Sequence, residues 1–298
     1  MLVGVASWTD PTITKGEVFY PKGADSAEAR LRYYSSRFPL VEVDSTYYAL
    51  PARRTADLWA ERTPDDFTFN VKAFALMTGQ PTEVSRLPKP LRDALPKQLT
   101  EKKRIYATDL DPELYDAVWA VFLDAMEPLR ASGKLGAVLL QYPRWFLPNR
   151  ESDEAILDAV RRLSPLRGAV EFRNARWFTP QRAERTLEFL ASHDIPFVAV
   201  DEPQGMESSV PPVFAVTSPA LAMVRLHGRR SAMWEARGIT AVERFRYLYD
   251  KEELAARVPA IEKMTAAAGR THVVFNNCYG NYGTTNAIEM GKMLAEQA

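Results

Sequence analysis

The chain has few of the residues that build common metal and disulfide sites. Its 298 residues include one cysteine, Cys278, and three histidines. One cysteine excludes an intrachain disulfide, which fits a reducing cytosol without requiring it. His193 lies late in a helical pattern and His272 opens a strand, so only His227 is well placed for a site. The multi-histidine zinc cluster of a barrel nuclease is therefore excluded, no cofactor is predicted, and Mg²⁺ held by carboxylate oxygens stays open.

The sequence also lacks net charge and long apolar runs. Lys plus Arg number 38, as do Asp plus Glu, which removes any whole-molecule argument for nucleic acid or an anionic membrane as partner. The start, MLVGVASWTD, has no basic region followed by an apolar core, and no apolar run approaches the roughly 20 residues of a membrane span. We therefore expect a soluble, cytoplasmic protein with no membrane partner, whose function depends on local sites.

Short apolar runs rich in β-branched residues do recur along the chain, each bounded by polar residues, glycine or proline. There are eight: LVGVASW from Leu2, VEVDSTYY from Val41, FTFNVKAF from Phe67, LGAVLLQYP from Leu135, GAVEFRN from Gly168, PFVAVDEP from Pro196, LAMVRLHG from Leu221 and HVVFNNCYG from His272. Each is of a length and composition typical of a strand buried in a sheet.

Helical patterns lie between these strands. They begin at Ser26, at Ser152 as a predicted N-cap, and at Thr179, where Thr179 is the predicted cap and Pro180 the first helical residue. Alternating strands and helices indicate a parallel sheet with crossover helices. Eight repeats in a chain of this length predict an α/β fold of the (β/α)8 TIM-barrel type, and an open sheet with an added edge strand is the alternative.

Two connections are too long to be simple crossovers. Within one barrel domain of residues 1–298, residues 75–134 form an insertion after strand 3 and residues 228–271 an insertion after strand 7. Both follow the C-terminal end of a strand, the face on which barrels build their active sites. Each is interpreted as a lid, a binding arm or a plain surface excursion.

Alternation along the strands predicts which side chains point to the barrel axis. In GAVEFRN, Val170 and Phe172 need the apolar helix layer, so Glu171 and Arg173 point inward. The same argument turns a further set of mostly polar side chains inward: Trp8, Glu42, Asp44, Thr46, Asn70, Lys72, Gln141, Asp201, Arg225, His227 and Asn276.

So many charged groups are more than folding needs. A structural barrel fills its interior with Val, Ile and Leu, and burying an unpaired charge costs several kcal/mol, so the set predicts a site, with a structural salt-bridge network as the alternative. The leading hypothesis is an enzyme that uses acid–base chemistry on a small anionic ligand bearing phosphate or carboxylate. The predicted catalytic residues are Glu171 as general base or acid, His227 and Lys72. The predicted ligand contacts are Trp8, Asp44, Gln141, Arg173, Asp201, Arg225 and Asn276.

The segment after the last strand, NNCYGNYGTTNAIEM, offers a phosphate site. Gly280 and Gly283 lead to Thr284 and Thr285, which are predicted to cap a helix from Asn286. Glycine-rich backbone before a helix presents free N–H groups to an anion. Gly280, Gly283 and Thr284 are therefore phosphate-loop candidates, and a turn with a helix cap is the alternative.

The segment after strand 7 combines basic and aromatic residues. It carries Arg229, Arg230, Trp234 and Arg237, with RFRYLYDKEEL further on. Such a mixture can grip phosphates and stack bases. It can equally close over a small ligand, or form an amphipathic helix that packs on the barrel. Nucleic acid is therefore kept as an alternative partner.

Several sequence blocks occur in order along nearly the whole chain: VGVASW, FYP at Phe19–Pro21, VEVDSTYYALP, FTFNVKAF, LLQYPRWF, VEFRNARWF, MVRLHGR and FNNCYGNYGTTNA. Together they resemble the signature blocks of the DUF72, or YecE-like, family. Asp44 stands where that family usually has Asn, Tyr47 where Phe is common, and Gly79 where a histidine is usual. The departure at Gly79 leaves that loop position without the family's side chain.

This resemblance implies a TIM-type barrel and a pocket, and no established reaction. The likeness of the family's barrel to endonuclease IV implies DNA binding. Nuclease chemistry does not carry over to this chain, because the histidine cluster that holds the nuclease metals is missing. The alternative function is therefore a non-catalytic barrel that binds nucleic acid, with an endonuclease IV-like shape but without its metal cluster.

Overall fold

The computed structural model describes residues 1–15 and 18–296, which form a nearly closed barrel of eight parallel strands. The strands are β1 (Leu2–Ala6), β2 (Leu40–Val43), β3 (Thr68–Lys72), β4 (Leu135–Gln141), β5 (Gly168–Glu171), β6 (Val198–Asp201), β7 (Ala222–Leu226) and β8 (Thr271–Phe275). Their order around the barrel is β5-β4-β3-β2-β1-β8-β7-β6. The predicted (β/α)8 TIM-type fold is confirmed.

The barrel closes weakly between β5 and β6. These strands meet through the bridge between Val170 and Phe197, whereas every other neighbouring pair of the described strands shares three or more paired residues. The seam between β5 and β6 is therefore the part of the wall with the fewest ladder hydrogen bonds.

Helices cover the outside of the barrel. The longer ones are α1 (Ala27–Arg37), α2 (Arg53–Glu61), α3 (Pro112–Ala131), α4 (Arg150–Leu163), α5 (Ala183–Ser192), α6 (Val258–Ala267) and α7 (Tyr282–Ala295). Shorter helical segments are Pro11–Thr14, Ser45–Tyr48, Ala75–Thr78, Val84–Arg86, Lys89–Asp93, Lys97–Thr100, Ala107–Asp109, Ala175–Phe178, Ser231–Trp234, Ala241–Arg244 and Lys251–Ala255. Two short antiparallel strands, Thr82–Glu83 and Arg104–Ile105, pair between β3 and α3. None of the described helices is long and apolar enough to cross a membrane.

The predicted starts of α4 and α5 are wrong, because the first helical N–H groups find acceptors other than the predicted cap side chains. In α4 the cap is Asn149, whose side chain accepts from the N–H of Ser152 at 2.8 Å, so Ser152 lies inside the first turn. α5 begins only at Ala183, since the carbonyl of Thr179 instead accepts from Arg182 and Ala183 in a preceding turn.

Strand register decides which side chains share the interior. Paired residues on parallel neighbours point to the same side of the sheet. Glu42 pairs with Asn70, and Gln141 pairs with Glu171, as expected for the inward set. The polar side chains assigned inward on β2 to β5 therefore do face the axis.

Candidate functional site

A cavity of about 420 Å³ opens at the C-terminal ends of the strands, and we call it the mouth cavity. Five of the predicted site residues line it, each from the end of a different strand: Asp44, Lys72, Gln141, Arg173 and Asn276. Tyr47 and Tyr48 form part of the wall, and Phe245 approaches from the segment after β7. The predicted strand through Tyr48 is too long, because the chain turns into the short helix Ser45–Tyr48 directly after Asp44.

Glu171 lies fully buried beneath the mouth cavity and holds its polar residues in place. Its Oε1 accepts from Gln141 Nε2 at 2.6 Å and from Arg173 Nη1 at 3.2 Å. Its Oε2 accepts from Arg225 Nη1 at 2.6 Å. His227 Nε2 lies 3.3 Å from Oε1. One carboxylate therefore fixes two side chains of the cavity and two side chains below it.

Arg225 is completely buried between two carboxylates and lines none of the cavity. Besides Glu171, it donates from Nη2 to Glu42 Oε1 at 2.5 Å. It was predicted to contact the ligand, but the structure commits its guanidinium to these two acids. Arg225 is a structural clamp between β2, β5 and β7.

The buried acids divide into two classes. Burial raises the pKa of Glu42 to about 7 and that of Glu202 to about 8. Burial would also raise the pKa of Glu171, but the cations Arg225 and Arg173 and the nearby His227 hold it well below its ordinary value. Glu171 is therefore ionised, with both oxygens occupied, which suits an anchor better than the predicted general base.

His227 supports Glu171 from the same buried layer. Burial lowers the pKa of its imidazole to about 3, so the ring is neutral at pH 7. The side-chain amide of Asn276 lies 2.9 Å from Nδ1, an arrangement in which Nδ1 accepts, while Nε2 lies 3.3 Å from Glu171 Oε1 without a hydrogen-bond partner among the described residues. The ring packs beside Trp234 and Phe245. His227 thus lies beside Glu171 and does not line the cavity.

Glu202 is a buried acid that the sequence pattern missed. Its Oε1 accepts from the N–H of Val210 at 2.6 Å, and its Oε2 lies 3.1 Å from Arg173 Nη1. The run PFVAVDEP is apolar on both faces, so alternation gives no phase for this strand. Val200 pairs with Arg225, which puts Glu202 on the interior side.

Asp201 was predicted to point inward, and the structure places it on the helix side. It pairs with Leu226, one position out of phase with the interior set. Its carboxylate accepts twice from Arg229 at 2.8 Å, once from Arg257 Nε at 2.6 Å and once from the Tyr249 hydroxyl at 3.0 Å. Asp201 therefore anchors the segment after β7 and the residue before α6.

Trp8 also lies outside the mouth cavity. Ser7 has a φ of 71°, in the left-handed region that few residues other than glycine adopt, and this reverses the alternation after β1. Trp8 consequently packs edge-on against Trp59 and Phe69 in the helix layer, with ring centroids 5.8 and 6.4 Å away. A regular strand through Ser7 would have put the indole into the barrel as predicted.

The phosphate-loop residues surround a recess of only about 10 Å³, roughly the space of one water. α7 begins at Tyr282, so the predicted helix start at Asn286 is wrong, and Gly283 and Thr284 lie in the first turn. The N–H of Gly280 is taken by the Thr12 hydroxyl at 2.7 Å. Among the described residues no group of three or more His, Cys, Asp or Glu side chains is placed to hold a metal ion.

A second depression of about 580 Å³, the outer groove, leads away from the mouth cavity and shares Arg173 with it. It is lined by Arg144, Arg237 and the half-exposed Trp145. No carboxylate of the described residues lies within 4.0 Å of Arg144 or Arg237. Of the predicted basic arm, Arg229 is instead paired with acids.

We expect the raised pKa of Glu202 to make stability fall as pH rises. A buried acid that prefers its proton contributes stability that is complete below the unfolded-state pKa of about 4.5 and is lost as pH passes its folded pKa of about 8. Glu202→Gln keeps the acceptor for Val210 without the charge. Urea unfolding between pH 5 and 8 measures this. The free energy of unfolding of the variant should rise relative to that of the wild type by up to about 1.4 kcal/mol per pH unit.

Glu207→Gln is the matched control, because Glu207 is an exposed acid paired with Arg176 at 3.1 Å. Its unfolding free energy should stay parallel to that of the wild type over the same pH range. Parallel curves for Glu202→Gln as well would contradict the assignment of a protonated carboxyl at Glu202.

Several known proteins are similar to this chain. The UPF0759 protein YunF of Bacillus subtilis (strain 168) is 30% identical over 295 residues, covering 98% of this chain and 94% of that protein. A DUF72 family crystal structure from Enterococcus faecalis V583 is 28% identical with a TM-score of 0.79, over 99% of this chain and 95% of its own. One from Thermotoga maritima MSB8 is 30% identical with a TM-score of 0.73, over 98% and 99%. Since the model of the family described as "Protein of unknown function DUF72" matches residues 2–298, the chain belongs to the DUF72 family.

Proposed function

We propose that the mouth cavity binds a small anionic molecule, bearing a phosphate or a carboxylate, and that the protein acts on it by acid–base chemistry. One observation carries this proposal: two basic side chains from the ends of different strands, Lys72 and Arg173, reach the same 420 Å³ cavity. The amide side chains of Gln141 and Asn276 lie beside them. Both amides are held from below by buried groups, which is the pre-organisation that a binding site requires.

Arg173 is the better anchor for the anion. The contacts of the described residues use its Nη1, toward Glu171 and Glu202, so Nε and Nη2 are left for a ligand. The ring of Trp234 packs against the guanidinium, with 4.5 Å between the guanidinium carbon and the ring centroid. A guanidinium fixed in this way can bind a carboxylate or phosphate through two parallel hydrogen bonds.

We assign proton transfer to residues that line the cavity rather than to the predicted residues Glu171 and His227. Glu171 and His227 lie beneath it, 3.3 Å apart. Asp44 faces the cavity, and its buried Oδ1 has no hydrogen-bond partner among the described residues. Asp44 and Lys72 are therefore the groups proposed to exchange protons with the ligand.

A thermal-shift titration tests the binding step. Inorganic phosphate, glycerol 3-phosphate and malonate should stabilise the protein, and uncharged glycerol should not. A ligand at about 100 times its Kd adds about 2.7 kcal/mol, worth roughly 5 °C in a chain of this size. Arg173→Ala should weaken binding at least about tenfold, the loss of one charged contact worth about 1.4 kcal/mol.

Arg176→Ala is the control, since Arg176 is an exposed arginine of the same loop that lines neither the mouth cavity nor the outer groove. Its titration should match the wild type. Equal binding by Arg173→Ala and the wild type, or no response to any anion, would overturn the proposal.

The outer groove favours a second candidate, a non-catalytic protein that binds single-stranded nucleic acid. Its arginines Arg144 and Arg237 lack acidic partners in the described residues, and Trp145 offers an exposed ring for a base. Binding of a labelled oligonucleotide would then fall steeply with salt. Loss of that binding in Arg144→Ala and Arg237→Ala, with Lys72→Met unaffected because Lys72 lines only the mouth cavity, would support this candidate over the first.

A further inference from the structure

The side-chain amine of Lys72 lies at the mouth cavity and has few polar contacts. Its side chain is 14% exposed, and its nearest carboxylate oxygen, Asp44 Oδ1, is 3.9 Å away. The ring of Tyr47 lies 4.7 Å from Nζ, and the hydrogen bonds of the described residues include none from this atom. By contrast, the buried amine of Lys134 donates to two backbone carbonyl oxygens at 2.7 and 2.8 Å. Backbone carbonyl groups therefore satisfy the amine of Lys134, whereas no hydrogen bond of the described residues satisfies the amine of Lys72.

The backbone below this amine is held firmly. Lys72 is the last residue of β3 and pairs with Leu139 of β4. Its carbonyl oxygen accepts from the Thr46 hydroxyl at 2.6 Å, and the same hydroxyl lies 3.0 Å from the carbonyl of Val43. The amine therefore projects from a fixed point of the barrel wall into space that a ligand can occupy.

The surroundings shift this amine toward its neutral form. Burial lowers the pKa of Lys72; the Asp44 carboxylate opposes that effect, and the guanidinium of Arg225 adds to it, so that the pKa lies below its ordinary value. A neutral lysine amine with open space in front of it is a nucleophile toward carbonyl groups. Arg173, in the same cavity, supplies a fixed positive charge for the rest of the molecule.

We propose that Lys72 forms an imine with a small carbonyl compound that carries a carboxylate or phosphate. This inference rests on the proposed function and names its substrate class. The lone pair of the amine forms a bond to the carbonyl carbon as the C=O π bond breaks, and one of the two nitrogen protons is transferred to the carbonyl oxygen, which gives a carbinolamine. Loss of the hydroxyl group as water and of the remaining nitrogen proton gives the neutral imine, so one amine and one carbonyl yield one imine and one water. Asp44 carries the protons, and Arg173 holds the anionic group.

Reductive trapping with glyoxylate tests the proposal without knowledge of the natural substrate. Sodium cyanoborohydride reduces an imine to a stable secondary amine, which peptide mapping by mass spectrometry locates. At pH 7 we expect Lys72 to be labelled at least about tenfold faster than the exposed Lys97, and the buried, hydrogen-bonded Lys134 to be labelled slowest. Labelling of Lys72 should saturate with glyoxylate and should slow in Arg173→Ala.

Two variants separate a covalent role from a purely electrostatic one. Lys72→Arg keeps a positive charge without the nucleophile, so it should bind malonate in the thermal-shift titration and lose the label at this position. Lys72→Met should lose both, and its far-ultraviolet circular dichroism and thermal unfolding verify that it folds.

The imine proposal and the anion site fail in different ways. Labelling of Lys72 no faster than that of Lys97, while malonate still stabilises the wild type and not Arg173→Ala, would overturn the imine and leave the anion site standing. If the wild type showed neither rapid labelling of Lys72 nor stabilisation by malonate, both the imine and the anion site would be overturned. Rapid, saturable labelling that Arg173→Ala does not slow would contradict the assignment of Arg173 as the anchor.

Discussion

Arg225→Met is expected to lower the free energy of unfolding by about 3–5 kcal/mol, the range for breaking a buried ion pair by removing one partner. Arg225 contacts Glu171 at 2.6 Å and Glu42 at 2.5 Å, and all three side chains are fully buried. Methionine fills most of the volume but leaves two acids without their cation. Urea unfolding at pH 8 measures the loss, which thermal unfolding should show as a fall of roughly 6–10 °C.

The size of this loss should depend on pH. Because burial already places the pKa of Glu42 at about 7, this acid readily takes up a proton once its cation is gone. The cost of Arg225→Met should therefore be smaller at pH 5 than at pH 8. Adding Glu42→Gln to Arg225→Met should recover part of the stability.

Arg54→Met provides the comparison, since Arg54 pairs with Glu61 at 2.8 Å on the surface with both side chains more than half exposed. Solvent screens such pairs, and little change in stability is expected. A loss for Arg225→Met no larger than that for Arg54→Met would show that the buried network contributes nothing to folding.

Asp201→Ala is expected to lower the free energy of unfolding by about 2–3 kcal/mol and to loosen the segment after β7. The carboxylate is 1% exposed and holds Arg229, Arg257 and the hydroxyl of Tyr249. Hydrogen bonds to charged groups are each worth about 1.5–3 kcal/mol, and the two guanidinium groups recover some hydration when the acid is removed, which limits the total. Urea unfolding and limited trypsin digestion measure the two effects, with new cleavage expected at Arg229 and Arg257.

Asp124→Ala is a suitable control, because Asp124 pairs with Arg53 at 2.6 Å while 61% exposed. It should change neither stability nor digestion appreciably. If Asp201→Ala abolished anion binding at unchanged stability, Asp201 would be a ligand contact, as the sequence pattern predicted, and its placement on the helix side would be wrong.

The sequence predicts the interior correctly wherever one face of a strand is clearly apolar. Val170 and Phe172 fix the phase of β5, and Glu171 and Arg173 follow from it by alternation. On β6 both faces are apolar, so alternation does not determine the phase and places Asp201 where Glu202 lies.

Two other differences between the predictions and the structure each arise from one local feature, a backbone dihedral angle and a helix cap. The left-handed backbone at Ser7 turns Trp8 to the other face, and no pattern of hydrophobic residues encodes one dihedral angle. Asn149, and not Ser152, caps α4. The sequence does not decide between them, because both side chains are common helix N-caps.

The roles of the site residues depend on partners far apart in sequence. Arg225 and Glu42 are 183 positions apart, and nothing local in either segment signals their contact. Alternation along the strands predicts that charged side chains share the interior. Only the geometry shows that Glu171 has both oxygens occupied and is an anchor, while Asp44 and Lys72 face open space.

The seam between β5 and β6 has few backbone hydrogen bonds, and Arg173 therefore has a structural role beside the proposed binding of an anion. Its Nη1 contacts Glu171, at the end of β5, and Glu202, the first residue beyond β6, so one guanidinium spans the two strands where their backbones share the fewest hydrogen bonds. An anion that draws on Arg173 changes the interaction that joins these strand ends. If the proposed anion binds at Arg173, its binding and the contact between these two strand ends are thermodynamically linked, so that a change in the seam also changes the affinity for the anion.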